Sequence, residues 1–313
     1  MISGLPFGMR LLIVSIIFSL ASTSLIFAAE SAVDLFFWMG SGNLHIKSVR
    51  SGEESRVSLL NRDGSLNDAA FSSIDRVFGF PTSERGEHIS PRMLFMLSYF
   101  SDQVAPGQLI YLESGYRSPE YNNRIRKKGA NAARTSSHID GMGIDFWIEG
   151  IDGKELWELI RSKNCCGVGH YGGKTVHLDS GRPRFWEAAT SGTRTKEPDY
   201  NRHIYISSDF DRYKSGDTMR VSISGASDFR FGIRSNIAFY DSEKAETVSA
   251  KAPLKTSDGS DCFMINSRKA SRFLFITVPP ELAAGRYKVK AEFCRRPFVQ
   301  MPEQVFSNVI EVN

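Results

Sequence analysis

Histidine is scarce in this chain, with six copies in 313 residues, at positions 45, 88, 138, 170, 177 and 203. An imidazole-based metal site therefore has few possible members, and three of the six fall between 138 and 177. The segment from Ser136 to Phe146 separates His138 from Asp145 by six residues, with Gly141 and Gly143 among them to let the backbone return tightly. The segment from Lys174 to Asp179 carries His177 between Val176 and Leu178. If it is a strand, Val176 and Leu178 share one face, and Thr175, His177 and Asp179 share the other. Two imidazoles and a carboxylate make three ligands and leave a fourth tetrahedral position for water, as catalytic zinc requires. Zinc so held lowers the pKa of that water to about 7 and polarises a carbonyl, so hydrolysis of an amide is the natural use. His45, His88 and His203 lack ligand spacing and read as structural residues.

The elements around these residues must bring them together. In the run 144–148, Ile144, Phe146 and Ile148 alternate onto one side, leaving Asp145 and Trp147 on the other. A carboxylate placed there needs a partner, and a cation is the cheapest one. Residues 108–113 have strand composition. Ser114-Gly115-Tyr116-Arg117 then leads into a helix start at Ser118-Pro119, with Gly129 as its stop, so Arg117 sits where a strand becomes a helix. Ser90-Pro91 caps another helix whose apolar face is Leu94, Leu97 and Phe100, and Asp152 opens a third with Leu156, Leu159 and Ile160. Before these, 36–80 reads as a hairpin-like opening around Arg62-Asp63-Gly64. The whole makes an α+β unit over 36–189. Trp147, Trp157, Tyr171 and Trp186 border apolar-periodic segments and read as packing residues, with Tyr171 the one to test as a substrate contact.

A polar linker follows at 190–199. Over 200–313, short β-type runs recur at 203–207, 219–224, 237–240, 273–278, 287–293 and 309–312, a spacing that suggests an immunoglobulin-like β-sandwich. Residues 242–257 read as an exposed loop. The composition, 41% hydrophobic and 24% charged, suits two packed cores. The net charge of +4 would suit an anionic polymer, but the basic residues are scattered rather than gathered in a stripe, so charge carries little weight, and no nucleic-acid partner is expected. Nothing suggests a serine nucleophile or a nucleotide site. The apolar run ending at Ala28-Ala29 makes 1–29 a signal peptide or an N-terminal membrane anchor, so the rest is expected in the periplasm or cell envelope. Export permits a Cys262–Cys294 bridge, whereas the adjacent Cys165 and Cys166 are expected as free or buried thiols.

With these residues in view, the chain resembles the LAS group of zinc metallopeptidases, which unites lysostaphin-type enzymes, D-Ala-D-Ala metallopeptidases and the hedgehog fold. The resemblance rests on Tyr116-Arg117-Ser118, on Ser136 to Asp145, on Gly167-Val168-Gly169, on Val176 to Asp179 and on Gly181 to Trp186. It runs from about Leu44 to Trp186 and is nearest the murein endopeptidase branch. It implies a hedgehog-like domain with one Zn2+ held by His138, Asp145 and His177, with Arg117 binding or polarising the substrate and Ser136 contacting the peptide. Many relatives carry an acidic residue or a His two or three positions before the last zinc ligand, where this chain has Thr175 and Lys174. That leaves Asp179, the preferred choice, and His170 as candidates for the general base, although Asp179 could instead orient the imidazole. The function implied is hydrolysis of peptide cross-links in the bacterial cell wall. The alternatives are a D,D-carboxypeptidase trimming stem peptides and a wall-binding protein without catalysis.

Overall fold

The computed structural model describes residues 34–191, 193, 197–244, 247–255 and 259–313. The segment read as a signal or anchor, 1–29, lies outside the described residues, as does part of the linker. No helix among the described residues is long and apolar enough to cross a membrane.

The chain opens with the antiparallel strands β1 (Asn43–Ser48) and β2 (Glu54–Ser58), followed by helix α1 (Asp68–Phe78) and the single turn α2 (Thr82–Arg85). Helix α1 was not anticipated within the hairpin-like opening. Its signals are nevertheless local: Asn67 accepts from the Ala70 amide at the N-cap, Gly79 closes the C-terminus at φ 65°, and Phe71, Ile74 and Phe78 bury one face. Helix α3 (Pro91–Val104) starts as expected, with Ser90 accepting from the Met93 amide ahead of Pro91. After β3 (Leu109–Ser114) comes α4 (Pro119–Lys127), capped by Ser118. Then follow β4 (Gly143–Ile148), α5 (Gly153–Ser162) capped by Asp152, β5 (Gly167–His170), β6 (Val176–Asp179) and β7 (Arg184–Glu187).

The seven strands form one sheet in the order β2-β1-β3-β4-β6-β5-β7. Ile144, Phe146, Val176 and Leu178 share its apolar core with Leu94, Leu97, Phe100, Leu156 and Ile160, the helix faces read from the 3.6-residue period. The other face of β4 and β6 is left for polar groups. Between α5 and β5 the structure pairs Cys165 with Cys166, against the expectation of free thiols. Asn164, at φ 47°, turns the chain out of the helix just ahead of the pair. Cys262 and Cys294 are bridged.

Past the linker the chain is β-rich. Strands β8 (Tyr205–Ser208), β9 (Arg212–Tyr213), β10 (Thr218–Ser224), β11 (Phe231–Arg234), β12 (Asn236–Asp241), β13 (Val248–Pro253) and β14 (Cys262–Ile265) precede the short helix α6 (Arg268–Arg272). Strands β15 (Leu274–Thr277), β16 (Gly285–Arg295) and β17 (Gln304–Val312) complete it. A three-stranded sheet, β15-β10-β8, accompanies a larger one with β16 at its centre, and the two enclose a second hydrophobic cluster. Strand β13 crosses the segment read as an exposed loop.

Buried ion pairs tie the two parts together. Glu87 accepts from Arg272 at 3.0 Å and Arg220 at 3.1 Å, both in the β-rich part, and from Arg85 at 3.0 Å. Arg92 on α3 pairs with Asp211 at 2.8 Å.

Candidate metal centre and its cleft

Strands β4 and β6 pair in a register that sets Asp145 directly opposite His177, on the face turned away from the core. His138 comes from the turn before β4. That turn is held by the Ser90 amide donating to the Gly141 carbonyl at 2.9 Å and the Ser180 amide donating to the Met142 carbonyl at 3.0 Å. Gly141 sits at φ 68°, and a Cβ there would meet the Phe80 ring at 2.3 Å, so only glycine allows the return. His138, Asp145 and His177 are all buried, and they bring one donor atom each within 4.8 Å of one another.

Each imidazole is fixed through its other nitrogen. His138 donates Nδ1–H to the Gly115 carbonyl at 2.7 Å, which leaves the Nε2 lone pair aimed inward. That Nε2 is buried and has no hydrogen-bond partner, although Asp145 Oδ1 lies 3.3 Å away. His177 donates Nε2–H to Asp179 Oδ2 at 2.8 Å and turns Nδ1 to Asp145 Oδ1, also at 2.8 Å. Arg117 Nη2 holds the remaining carboxylate oxygen, Asp145 Oδ2, at 2.6 Å. The cation anticipated for Asp145 is therefore Arg117. An orphaned nitrogen, a second nitrogen and one carboxylate oxygen converge, and their outer atoms are already engaged, the arrangement that orients metal ligands. The donor set fits a divalent ion of the zinc kind.

The electrostatics agree. Burial pushes the His138 pKa down, helped by the Arg117 charge and opposed by Asp145, so this imidazole is neutral, as a ligand must be. Burial opposes charge on His177 too, but its hydrogen bonds to Asp145 and Asp179 outweigh it and raise its pKa. The two carboxylates thus demand positive charge at this point, which a metal ion can supply in place of a proton.

Asp179 is fully buried and accepts from Arg184, the Gly181 amide, His177 and Ser137. Burial favours its neutral form, but Arg184 and His177 hold its pKa far below the ordinary carboxylate range. Of the two base candidates, Asp179 thus reaches the cluster as a partner of His177. His170, half-buried at the end of β5, bonds the Gly173 carbonyl at 3.1 Å and does not line the cleft. Lys174 is accounted for elsewhere, its Nζ lying over the Trp147 ring.

His138 and His177 of the cluster floor a cleft of about 360 Å³. Arg117 and Ser136 line it, as does Tyr171. Trp186, read as packing, lines it as well, with its ring 5.1 Å from that of His177. Sequence reasoning missed Ser137, whose hydroxyl donates to Asp179 at 3.2 Å, and Arg184. It also missed the far wall, to which Arg202, His203 and Tyr205 contribute from the β-rich part. The alternation of Arg184, Phe185 and Trp186 along β7 was the available signal, since it turns the tryptophan opposite to the exposed Phe185.

A strand-borne Asp and His facing a turn-borne His across an α+β sheet is an arrangement that can hold a divalent metal ion. Residues 39–186 match the peptidase M15 family model described as "Peptidoglycan L,D-endopeptidase MepK", and that segment is a domain of this branch of the LAS-group zinc metallopeptidases. The Peptidoglycan L,D-endopeptidase MepK of Escherichia coli (strain K12) is 26% identical over 144 residues, which cover 46% of this chain and 79% of that protein. The protein of the same name from Shigella flexneri gives the same figures. The Probable peptidoglycan L,D-endopeptidase MepK of Haemophilus influenzae is 35% identical over 74 residues, 23% of this chain and 40% of that protein. The family match ends where the β-rich part has yet to begin.

Proposed function

We propose that this chain is an exported peptidoglycan endopeptidase that cuts peptide cross-links with one zinc ion held by His138, Asp145 and His177. The observation that carries the reading is the convergence of His138 Nε2, Asp145 Oδ1 and His177 Nδ1 on one buried point at the floor of an open cleft. The family and relatives supply the substrate class, and their names point to an L,D bond. Localisation in the periplasm or cell envelope, with 1–29 as signal or anchor, goes with that substrate. The β-rich part over 200–313 we read as an immunoglobulin-like sandwich joined to the 36–189 peptidase domain by the 190–199 linker.

Zinc supplies Lewis acidity and an activated water. The side chains do the rest. Asp179 holds His177 in the tautomer that presents Nδ1, and Arg184 keeps Asp179 charged while it does so. Asp179 is thus assigned to positioning rather than proton transfer, and His170 to neither. Arg117 fixes Asp145 with Nη2 and stands in the cleft, where its charge favours a developing oxyanion on the scissile carbonyl. Ser136 borders the same space and offers a hydroxyl to the peptide. Burial pushes the Tyr171 phenol up, so it stays protonated and acts only as a hydrogen-bond donor or acceptor.

The test is incubation of the purified protein with wall digests, with and without a chelator, beside His177→Ala. Loss of dimeric muropeptides that the chelator and the variant both abolish supports the endopeptidase. Shortened monomer stems would make it a carboxypeptidase. Wall binding without any hydrolysis would reduce it to a binding protein.

A further inference from the structure

Six arginines line the cleft: 117, 126, 134, 182, 184 and 202. Three have a carboxylate partner. Arg117 pairs with Asp145, Arg184 with Asp179, and Arg202 with Glu197 at 3.5 Å. Arg126, Arg134 and Arg182 make no ion pair among the described residues. Unpaired arginines scattered over a surface mean little, but these share one concavity with the metal centre.

Their placement is built rather than loose. Arg126, half-buried in the last turn of α4, donates Nε–H to the Ala132 carbonyl at 3.0 Å, which fixes the plane of its guanidinium. The loop carrying Arg134 is pinned by Asn122 Nδ2 donating to the Ala133 carbonyl at 2.9 Å and by Ser191 Oγ donating to Asn131 Oδ1 at 2.7 Å. From Arg134 the chain runs through Ser136 straight to His138, so this wall and the ligand turn are one piece of backbone. Arg182 stands in the turn between β6 and β7, two residues before the Arg184 that clamps Asp179. Burial and the neighbouring Arg134 charge both push the Arg126 pKa down, the sign of like charges held close without a counter-ion.

An anion in the cleft relieves that repulsion. Guanidinium groups bind carboxylates through parallel N–H donors, with more directional strength than a single neutral hydrogen bond provides. The peptides of peptidoglycan carry free carboxylates on side chains and chain ends, whereas an amide bond presents only a neutral carbonyl to the centre. We propose that Arg126, Arg134 and Arg182 form a carboxylate-binding subsite that takes a free carboxylate of the peptide substrate and so fixes which bond lies over His138, Asp145 and His177. The proposal rests on the peptidase reading above and adds to it the feature of the substrate that is recognised.

The test compares a cross-linked stem peptide bearing free carboxylates with the same peptide carboxamidated. Arg134→Ala and Arg182→Ala are the variants, since both side chains are exposed and their loss leaves the core intact. Steady-state kinetics of the zinc-loaded protein are read beside calorimetric binding of both peptides to the metal-stripped protein. Each variant should weaken the free-carboxylate peptide about 10-fold, mainly in KM and in the calorimetric Kd. The carboxamide should bind the parent poorly and respond little to either variant. If the parent hydrolyses both peptides alike and the variants bind them as the parent does, the subsite is wrong while the peptidase reading stands. If carboxylate-dependent binding is lost in the variants but the parent cleaves nothing, the subsite stands and the peptidase reading falls.

Discussion

Replacing Arg268 by Ala tests how far the ligand turn depends on the β-rich part. Asp140 lies two residues after His138, and its side chain is 2% exposed. Both of its partners come from beyond the linker: Arg268 Nη1 on Oδ1, and the Gly225 amide on Oδ2 at 2.9 Å. Arg268 also donates Nη2–H to the Ala226 carbonyl at 3.2 Å. Breaking a fully buried ion pair by removing one partner costs about 3–5 kcal/mol. Two features reduce that here, since the Arg268 side chain is 22% exposed and the Gly225 amide still serves the carboxylate. A loss of about 2–3 kcal/mol follows, read as the shift in urea midpoint of the chelated protein with the slope unchanged. Adding Asp140→Asn should restore part of the loss, because the uncompensated charge is then gone. The displaced turn should also weaken zinc binding, and Arg268→Lys should recover some of both. A midpoint within about 0.5 kcal/mol of the parent, the range of an ordinary surface substitution, would refute the reasoning.

Three further outcomes are expected. Asp179→Asn removes the charge that holds His177 Nε2–H and should cost about 10–100-fold in zinc affinity by competition with a chromophoric chelator. Gly169→Ala would put a Cβ 2.4 Å from the Trp186 ring, which must leave the cleft wall; a stability loss of about 1–3 kcal/mol and a raised KM are the readouts. The pH dependence of stability has two limbs. Burial works against the Glu87 charge, but Arg272, Arg220 and Arg85 prevail and lower its pKa below 4.5, so its contribution is full above that value and fades as pH falls through the depressed one. Burial likewise opposes the His88 charge, but Asp75 and Asp68 raise its pKa above 6.5, so its contribution is full below 6.5 and fades as pH rises through the raised value. Denaturant titrations of Glu87→Gln and His88→Gln should flatten the acid and the alkaline limb respectively.

The convergence of His138, Asp145 and His177 was legible because two local rules sufficed. Period two along 144–148 and 176–178 turned Asp145 and His177 away from the core, and the glycines at 141 and 143 marked the turn that returns His138. The caps at Ser90, Ser118 and Asp152 were equally local. Helix α1 was overlooked although Phe71, Ile74 and Phe78 keep helical spacing, because the turn at Asp63-Gly64 drew the whole stretch into one hairpin-like reading. Strand β13 was hidden for a physical reason: it lies beside β12 and is mostly exposed, so the alternation of Val248, Ala250 and Ala252 rests largely on alanines and gives a weak apolar signal, and Pro253 ends it where an edge strand tolerates proline.

The cleft walls were beyond reach for a different reason. Trp186 enters the site only because β7 runs parallel to β5, which sets it opposite Gly169, itself opposite His177 on β6. No window of sequence contains that chain of registers. The far wall is more remote still, since Arg202, His203 and Tyr205 reach the cleft only when the β-rich part docks. Docking is enforced by charges that cannot be left alone: Glu87 and Asp140 are buried carboxylates whose main cationic partners, Arg272 and Arg268, sit on the short helix α6 across the junction. An unpaired buried carboxylate is costly enough that undocking would destabilise the peptidase domain itself. The family's own segment therefore supplies the candidate metal ligands in this chain, while residues outside it hold the turn that carries His138 and shape the cleft above.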